Sequence, residues 1–160
     1  MKFHNVHEQK KEKPSCTLKG RWFMTLFGES GDVKQSIEGD NVICTNGKEF
    51  LANFLQSAAG AASTFTMRYI AVGSDSSAEA AGNTALGGEL ARTTGTVSYV
   101  SGGIYQVSAT FTTGMGTGSI YEYGLLSSSS AGTMLSRDTE AVINKGANDT
   151  LRVVCQLTLT

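Results

Sequence analysis

The sequence predicts a mainly β protein: a jelly-roll-like β-sandwich with one amphipathic helix and an extended N-terminal arm. Three observations carry this. Glycine makes up 19 of 160 residues, proline only 1, and charged residues 17%, a balance that suits many strands joined by tight turns. Apolar side chains alternate with polar ones along Tyr105, Val107, Ala109 and Phe111 and again along Leu151, Val153, Cys155, Leu157 and Leu159, the period of half-buried strands. Turn signals separate roughly eight such strands at the spacing of a sandwich. A single domain over residues 16–160 follows, preceded by an arm over residues 1–15. A chain of this size buries about 70% of its unfolded surface, so its core needs no metal or disulfide.

Taken in order, residues 1–14 hold both histidines, four lysines and two glutamates with almost nothing to bury. Such a segment does not order itself in water. Its residues Lys2, Phe3, His4, His7, Lys10, Lys11 and Lys13 are therefore candidates for contact with a partner, folding back on the same domain being the alternative. Trp22–Phe27 reads as a strand with apolar residues on both faces, and Glu29–Asp32 turns it back into Val33–Ile37. Asn46 as N-cap and Glu49 three residues later form a capping box for a helix. Phe50, Leu51, Phe54, Leu55 and Ala58 line its apolar face, and Gly60 ends it. This helix is expected to plug the open side of a sheet.

Tyr69-Ile70-Ala71-Val72 is a short, dense apolar run that reads as a buried strand ended by Gly73. The loop that follows, to Gly88, is rich in small polar residues and closes on Glu89 and Arg92. A rigid strand feeding such an excursion presents a contact loop. Val97 and Tyr99 then share a strand face, Gly102-Gly103 turns the chain, and the alternating strand through Phe111 follows. Gly114–Gly118 is a flexible turn, Ile120–Leu126 a strand, Ser127–Gly132 a loop, Thr133–Asn144 extended, and Lys145–Asp149 a turn into the last strand.

A net charge of −1 gives no electrostatic case for nucleic acid or acidic membranes. No apolar run reaches the length of a membrane span, and the polar start of the chain is unlike a signal peptide. Cys16, Cys44 and Cys155, odd in number and widely spaced, read as reduced, buried side chains, with a Cys16–Cys44 bridge as the alternative. His4 and His7 lie in the arm, away from any serine or cysteine they could activate. His4-x-x-His7 lacks the further ligands a metal needs. Gly114, Gly116 and Gly118 lack the strand and helix context of a phosphate loop, and Asp75, Glu79 and Glu89 lack calcium-loop spacing. No catalytic residue, cofactor or metal is expected. Glu122 shares a period-two face with Ile120, Gly124 and Leu126, which points its carboxylate inward. A buried carboxylate must be paired or protonated. The expectation is an ion pair with Arg92, Arg68 or Arg137, with a catalytic acid as the alternative; Glu89 is a further pairing candidate.

Five stretches together carry a family likeness. They are Asn41-Val42-Ile43 with Thr45-Asn46-Gly47-Lys48 leading into Leu51-Ala52 and Leu55; Tyr69–Gly73; Thr84–Arg92; Glu122-Tyr123-Gly124-Leu125; and Gly132–Arg137. Their order resembles small structural proteins of tailed bacteriophages and, more loosely, the N-terminal attachment domains of some phage tail fibres. The resemblance spans residues 41–159. It implies a virion component without enzymatic activity, made in the bacterial host cytoplasm. In that family some capsid cement proteins are jelly-roll-like domains with extended arms. The expected function is capsid decoration, with the major capsid protein and neighbouring copies of itself as partners in a homo-oligomer, and with no nucleic acid or membrane partner. The chain reaches Thr160 directly after its last strand with no fibrous shaft, which sets the expectation away from a tail fibre. A tail, neck or baseplate adaptor is the first alternative. A carbohydrate-binding module is the second, disfavoured because the single Trp22 belongs to the core.

Overall fold

The structure, a computed structural model, describes residues 17–56 and 67–160, apart from the side chains of residues 55 and 56. The expected contact residues of the arm, together with Cys16, Ala58 and Gly60, lie outside the described residues. At the first described position the Thr17 N–H donates to the Thr160 carbonyl at 2.7 Å. Strand β1 (Leu18–Phe27) pairs along its whole length with the final strand β10 (Thr150–Leu159). That pairing starts β1 four residues before the tryptophan. Trp22, Met24 and Leu26 point into the core, while Arg21 lies over the Phe23 ring at 5.3 Å on the outer face. In β10, Leu151, Val153, Cys155 and Leu157 are buried, and Leu159 runs off the end of the sheet, 57% exposed.

The remaining elements are β2 (Val33–Asp40), β3 (Val42–Ile43), α1 (Thr45–Gln56), β4 (Tyr69–Gly73), β5 (Glu89–Thr94), β6 (Thr96–Tyr99), β7 (Ile104–Phe111), β8 (Gly118–Leu126) and β9 (Met134–Lys145). They build two antiparallel five-stranded sheets. Sheet 1 runs β2-β1-β10-β7-β6 and sheet 2 runs β3-β9-β8-β4-β5. The protein is thus a mainly β, two-sheet sandwich. Core side chains of β1, β7 and β10 meet Ile70, Val72, Ile120, Tyr123, Leu125, Leu135 and Ile143 of sheet 2. Cys44 and Cys155 are buried and free; burial raises the pKa of both thiols.

Both edges of the sandwich are closed by strands that cross between sheets, a device not anticipated from the sequence. β2 ends sheet 1 and, past Asn41, β3 ends sheet 2; at the opposite edge β5 passes into β6 through Gly95. Gly95 donates to the Arg68 carbonyl at 2.7 Å, and a Cβ there would press on Val107. On the first edge the Gln35 side chain donates to the Val142 carbonyl at 3.0 Å, tying β2 to β9 across the seam. Crossing strands of this kind limit the open edges through which sandwiches aggregate. Four hairpins lie within the sheets (β1–β2, β4–β5, β6–β7, β8–β9) beside the long-range pairs β1–β10, β7–β10, β4–β8 and β3–β9.

The helix forms where expected but is set differently. Cys44, not Asn46, accepts the first helical hydrogen bond, from Lys48 N–H at 3.1 Å, and the Thr45 N–H donates to the Ala81 carbonyl at 2.8 Å. Tertiary contacts with the 74–88 loop therefore fix the helix start, displacing the capping box; Glu49 is exposed. Gly47 is buried with the helix laid directly on Leu135 of β9, where a Cβ has no room. Phe50 and Leu51 pack on the core, but Phe54, expected on the same face, is 50% exposed. Among the described residues no helix is long and apolar enough to cross a membrane.

Candidate functional site

The site grows from an irregularity in β8. A β-bulge between Ile120 and Glu122 resets the alternation. Ile120, Tyr123 and Leu125 face the inter-sheet core, while Leu126 joins Cys44, Ala71, Leu86 and Met134 in a second cluster on the far face of sheet 2. Glu122 falls on that second face. Its expected burial holds, at 0% exposure, but its expected face-sharing with Ile120 does not. What buries it is the 74–88 loop, not sheet 1.

The Glu122 carboxylate is fully occupied. It accepts from the backbone N–H groups of Asp75 at 3.3 Å, Gly87 at 2.9 Å and Gly88 at 2.7 Å, and from Arg137 Nε at 3.0 Å. Arg137 Nη2 lies 2.9 Å from Glu122 Oε2. Arg137, 2% exposed, also donates to Asp75 Oδ2 at 3.2 Å, Asn83 Oδ1 at 3.3 Å and the Ala78 carbonyl at 3.4 Å. Both ends of the loop are thereby fastened to one buried ion pair. Gly73 permits the approach, since a Cβ at that position would collide with the Glu122 carboxylate. Ser77 donates to Asp75 from N–H and hydroxyl, holding the Asp75 carboxyl below its usual pKa.

Glu89 and Arg92 form a separate clasp. Arg92 donates to the Glu89 carboxylate at 2.6 and 3.0 Å, and to the Ser128 and Ala131 carbonyls at 3.0 and 2.7 Å. It holds the 127–132 loop, so it is not a partner of Glu122. Arg68, the third expected candidate, instead lies over the Tyr69 ring at 5.8 Å. Of the three arginines expected beside Glu122, Arg137 alone pairs with it.

One buried acid was not anticipated from the sequence. Asp138, cross-strand partner of Tyr123, is 1% exposed, and neither of its carboxylate oxygens has a hydrogen-bond partner. Burial first, then the charges of Glu140 and Glu79 and, more weakly, Asp40, push its pKa up to about 7 against the lowering effect of the Thr139 backbone N–H. The Tyr123 hydroxyl beside it is buried and also without a partner; burial, then Asp138 and Glu140, raise its pKa. Asp138 shares the inter-sheet face with Tyr123, and its charge helps raise the pKa of the core thiol Cys155. The available signal was weak: Met134 to Asp138 are all buried, as in a strand covered on both faces, but Ser136, Arg137 and Asp138 disguise that pattern.

Among the described residues no group of three histidine, cysteine or acidic side chains converges to hold a metal ion. Comparison of the chain with protein-family models, with curated proteins and with solved structures finds no match.

Proposed function

We propose that this chain is a capsid decoration protein of a tailed bacteriophage, a non-enzymatic sandwich that binds the outer shell and strengthens contacts between capsid subunits. One observation supports the reading above others. The five stretches that carry the family likeness, far apart in sequence, come together in one layer: β3, the start of α1, β4, the end of the 74–88 loop with β5, β8 and β9. That layer is built around Glu122 and Arg137, so the likeness follows a structural unit and not scattered residues. Loops fastened to buried charge offer a preformed surface, and weak contacts repeated over a lattice gain avidity without a large apolar patch. The jelly-roll part of the reading rests on the first and last strands, β1 and β10, lying side by side in sheet 1; the within-sheet hairpins are additions to it. Partners are then the major capsid protein and further copies of this chain, and the location is the virion.

The test is the copy number of this protein against the major capsid protein in purified particles, before and after tails are removed. Decoration requires a fixed ratio set by the capsid lattice, unchanged when tails go. Loss with the tails would make the protein a tail, neck or baseplate adaptor instead.

A further inference from the structure

We propose that β6 pairs with β6 of a second copy of this chain, antiparallel and about a two-fold axis at Ser98, so that sheet 1 runs on from one copy into the next. The register between β6 and β7 shows which main-chain groups are open. Val100 N–H donates to the Ile104 carbonyl at 2.9 Å, so Val100, Ser98 and Thr96 are the residues that exchange hydrogen bonds with Ile104, Gln106 and Ser108. Val97 and Tyr99 alternate with them and turn their N–H and C=O groups away from β7. Gly95, in the same phase, points the same way: its N–H leaves the sheet and reaches the Arg68 carbonyl at 2.7 Å. Among the described residues nothing meets the outward main-chain groups of Val97 and Tyr99.

Open edges are ordinarily guarded by charge, by proline or by cover, and the other outermost strands of the two sheets are. β2 carries Lys34, Glu38 and Asp40 and is tied to β9 by Gln35. β5 carries Glu89 and Arg92, and β3 is only two residues long and leads at once into α1. β6, Thr96-Val97-Ser98-Tyr99, has no charge, no proline and no bulge, and all of its residues are exposed. Val97 and Tyr99, 41% and 78% exposed, stand on the same face. An edge without a guard suits a strand that adds to it.

The spacing selects the occupant. Val97 and Tyr99 point outward with Ser98 between them, so the strand is its own antiparallel complement. Val97 exchanges both hydrogen bonds with Tyr99 of the second copy, Tyr99 with Val97 of the second copy, and the two Ser98 residues face each other, as a two-fold contact requires. Each Tyr99 ring then lies beside a Val97, an aromatic–β-branched pair across strands. Other registers are blocked at both ends: Arg68 occupies Gly95, and the chain turns away at Gly102 and Gly103, both at positive φ. No charge opposes the approach, since neither strand carries one. An edge of 4 residues buries much less than the roughly 800 Å² per partner of a stable complex. Copies therefore separate when dilute and pair where a lattice holds them side by side. The inference rests on the proposed function only in taking further copies of this chain as partners.

Sedimentation equilibrium and disulfide trapping of the full-length protein test this. The parent is expected to pair with a Kd of about 0.1–1 mM, the weak range that so small an interface reaches. Ser98→Glu sets like charges against each other at the axis and should weaken pairing by about tenfold. Ser98→Cys, in a Cys16→Ser background, brings two thiols within the Cα separation of about 4.4–6.8 Å that a disulfide spans. It should link copies about tenfold faster than Ser129→Cys at an exposed loop position, because pairing raises the effective thiol concentration. Ser98 is exposed, so its variants should keep the parent's unfolding midpoint. A parent that stays monomeric up to about 1 mM, or a dimer that Ser98→Glu leaves intact, would overturn the proposal. Slow hydrogen exchange at the Val97 and Tyr99 amides of the dilute monomer would overturn it too, because another part of the same chain would then cover the edge. Particle stoichiometry decides the proposed function separately: a protein that pairs through β6 yet leaves with the tails keeps this inference and loses that one.

Discussion

Glu122 and Asp138 sit on adjacent strands of the same sheet, Glu122 opposite Thr139 and Asp138 opposite Tyr123, and at 0% and 1% exposure they are equally buried. Glu122 is surrounded by three backbone N–H groups and a guanidinium. Asp138, on the opposite face, has no hydrogen-bonded partner on either oxygen; burial and neighbouring carboxylates raise its pKa more than the Thr139 backbone N–H lowers it. Burial alone therefore does not say whether a carboxylate stabilises a fold; the donors that come with it do. The first acid fastens a loop and the second leaves the inter-sheet core under charge strain.

The largest effect should come from breaking the satisfied acid. Glu122→Ala leaves the buried Arg137 with the Asp75 carboxylate as its remaining charge partner among the described residues and takes the acceptor from three backbone N–H groups, a loss of about 3 kcal/mol, read as a fall in urea unfolding free energy. Hydrogen exchange at the Gly87 and Gly88 amides should accelerate with it, because their acceptor is gone. An unchanged midpoint would mean that solvent reaches the pair.

Removing the unsatisfied acid should act in the opposite direction. The Asp138 carboxyl titrates near 7 in the fold against about 3.9 when unfolded. A raised carboxyl pKa means the folded state keeps a proton that the unfolded state releases, so stability falls as pH rises from about 4 to 7 and levels off above. Asp138→Asn imitates the neutral form and should raise stability at pH 8 by on the order of 3 kcal/mol. Lower stability than the parent at pH 8 would show that the ionised group has a partner.

Smaller effects test the geometry around the clasp. Gly73→Ala places a methyl against the Glu122 carboxylate and should cost about 1–3 kcal/mol, as overpacking does, with looser exchange confined to residues 74–88. Arg92→Lys keeps the charge but loses the fork that spans Glu89, Ser128 and Ala131. It should cost about 1 kcal/mol or less and loosen only residues 127–132. Loosening of both loops by either variant would mean that the clasps are coupled.

The alternation of β7 and β10 was readable because a strand with one buried face writes period two directly into its sequence. The burial of Glu122 was readable for the same reason, yet its face was not. The bulge at Tyr121 adds a residue without glycine or proline to announce it, and it moves Ile120 and Glu122 to opposite sides. Choosing Arg137 over Arg92 and Arg68 needed the strand order, since only pairing β8 with β9 brings residues 122 and 137 together. Asp138 stayed hidden because its strand is covered on both faces and carries charge where such strands are usually apolar. The sheet crossings at Asn41 and Gly95 are tertiary choices with no local sequence signature. Phe54 shows the reverse case, a correct helical period whose outermost member stays half exposed.

The contrast between the two acids is tested most directly by the unfolding free energy of the parent and of Asp138→Asn, measured in parallel from pH 4.5 to pH 8. Asp32, Asp75 and Asp149 are held below their ordinary pKa, chiefly by hydrogen bonds from Ser30, Ser77 and Lys34. Their contributions are lost only as pH falls below about 4, outside this window. Histidine titration in residues 1–16 is common to both proteins and cancels in the difference. The expected result is a parent whose stability falls by on the order of 3 kcal/mol relative to the variant between pH 4.5 and pH 7 and then runs parallel to it. Two curves parallel throughout would contradict a partnerless Asp138 and remove the contrast with Glu122.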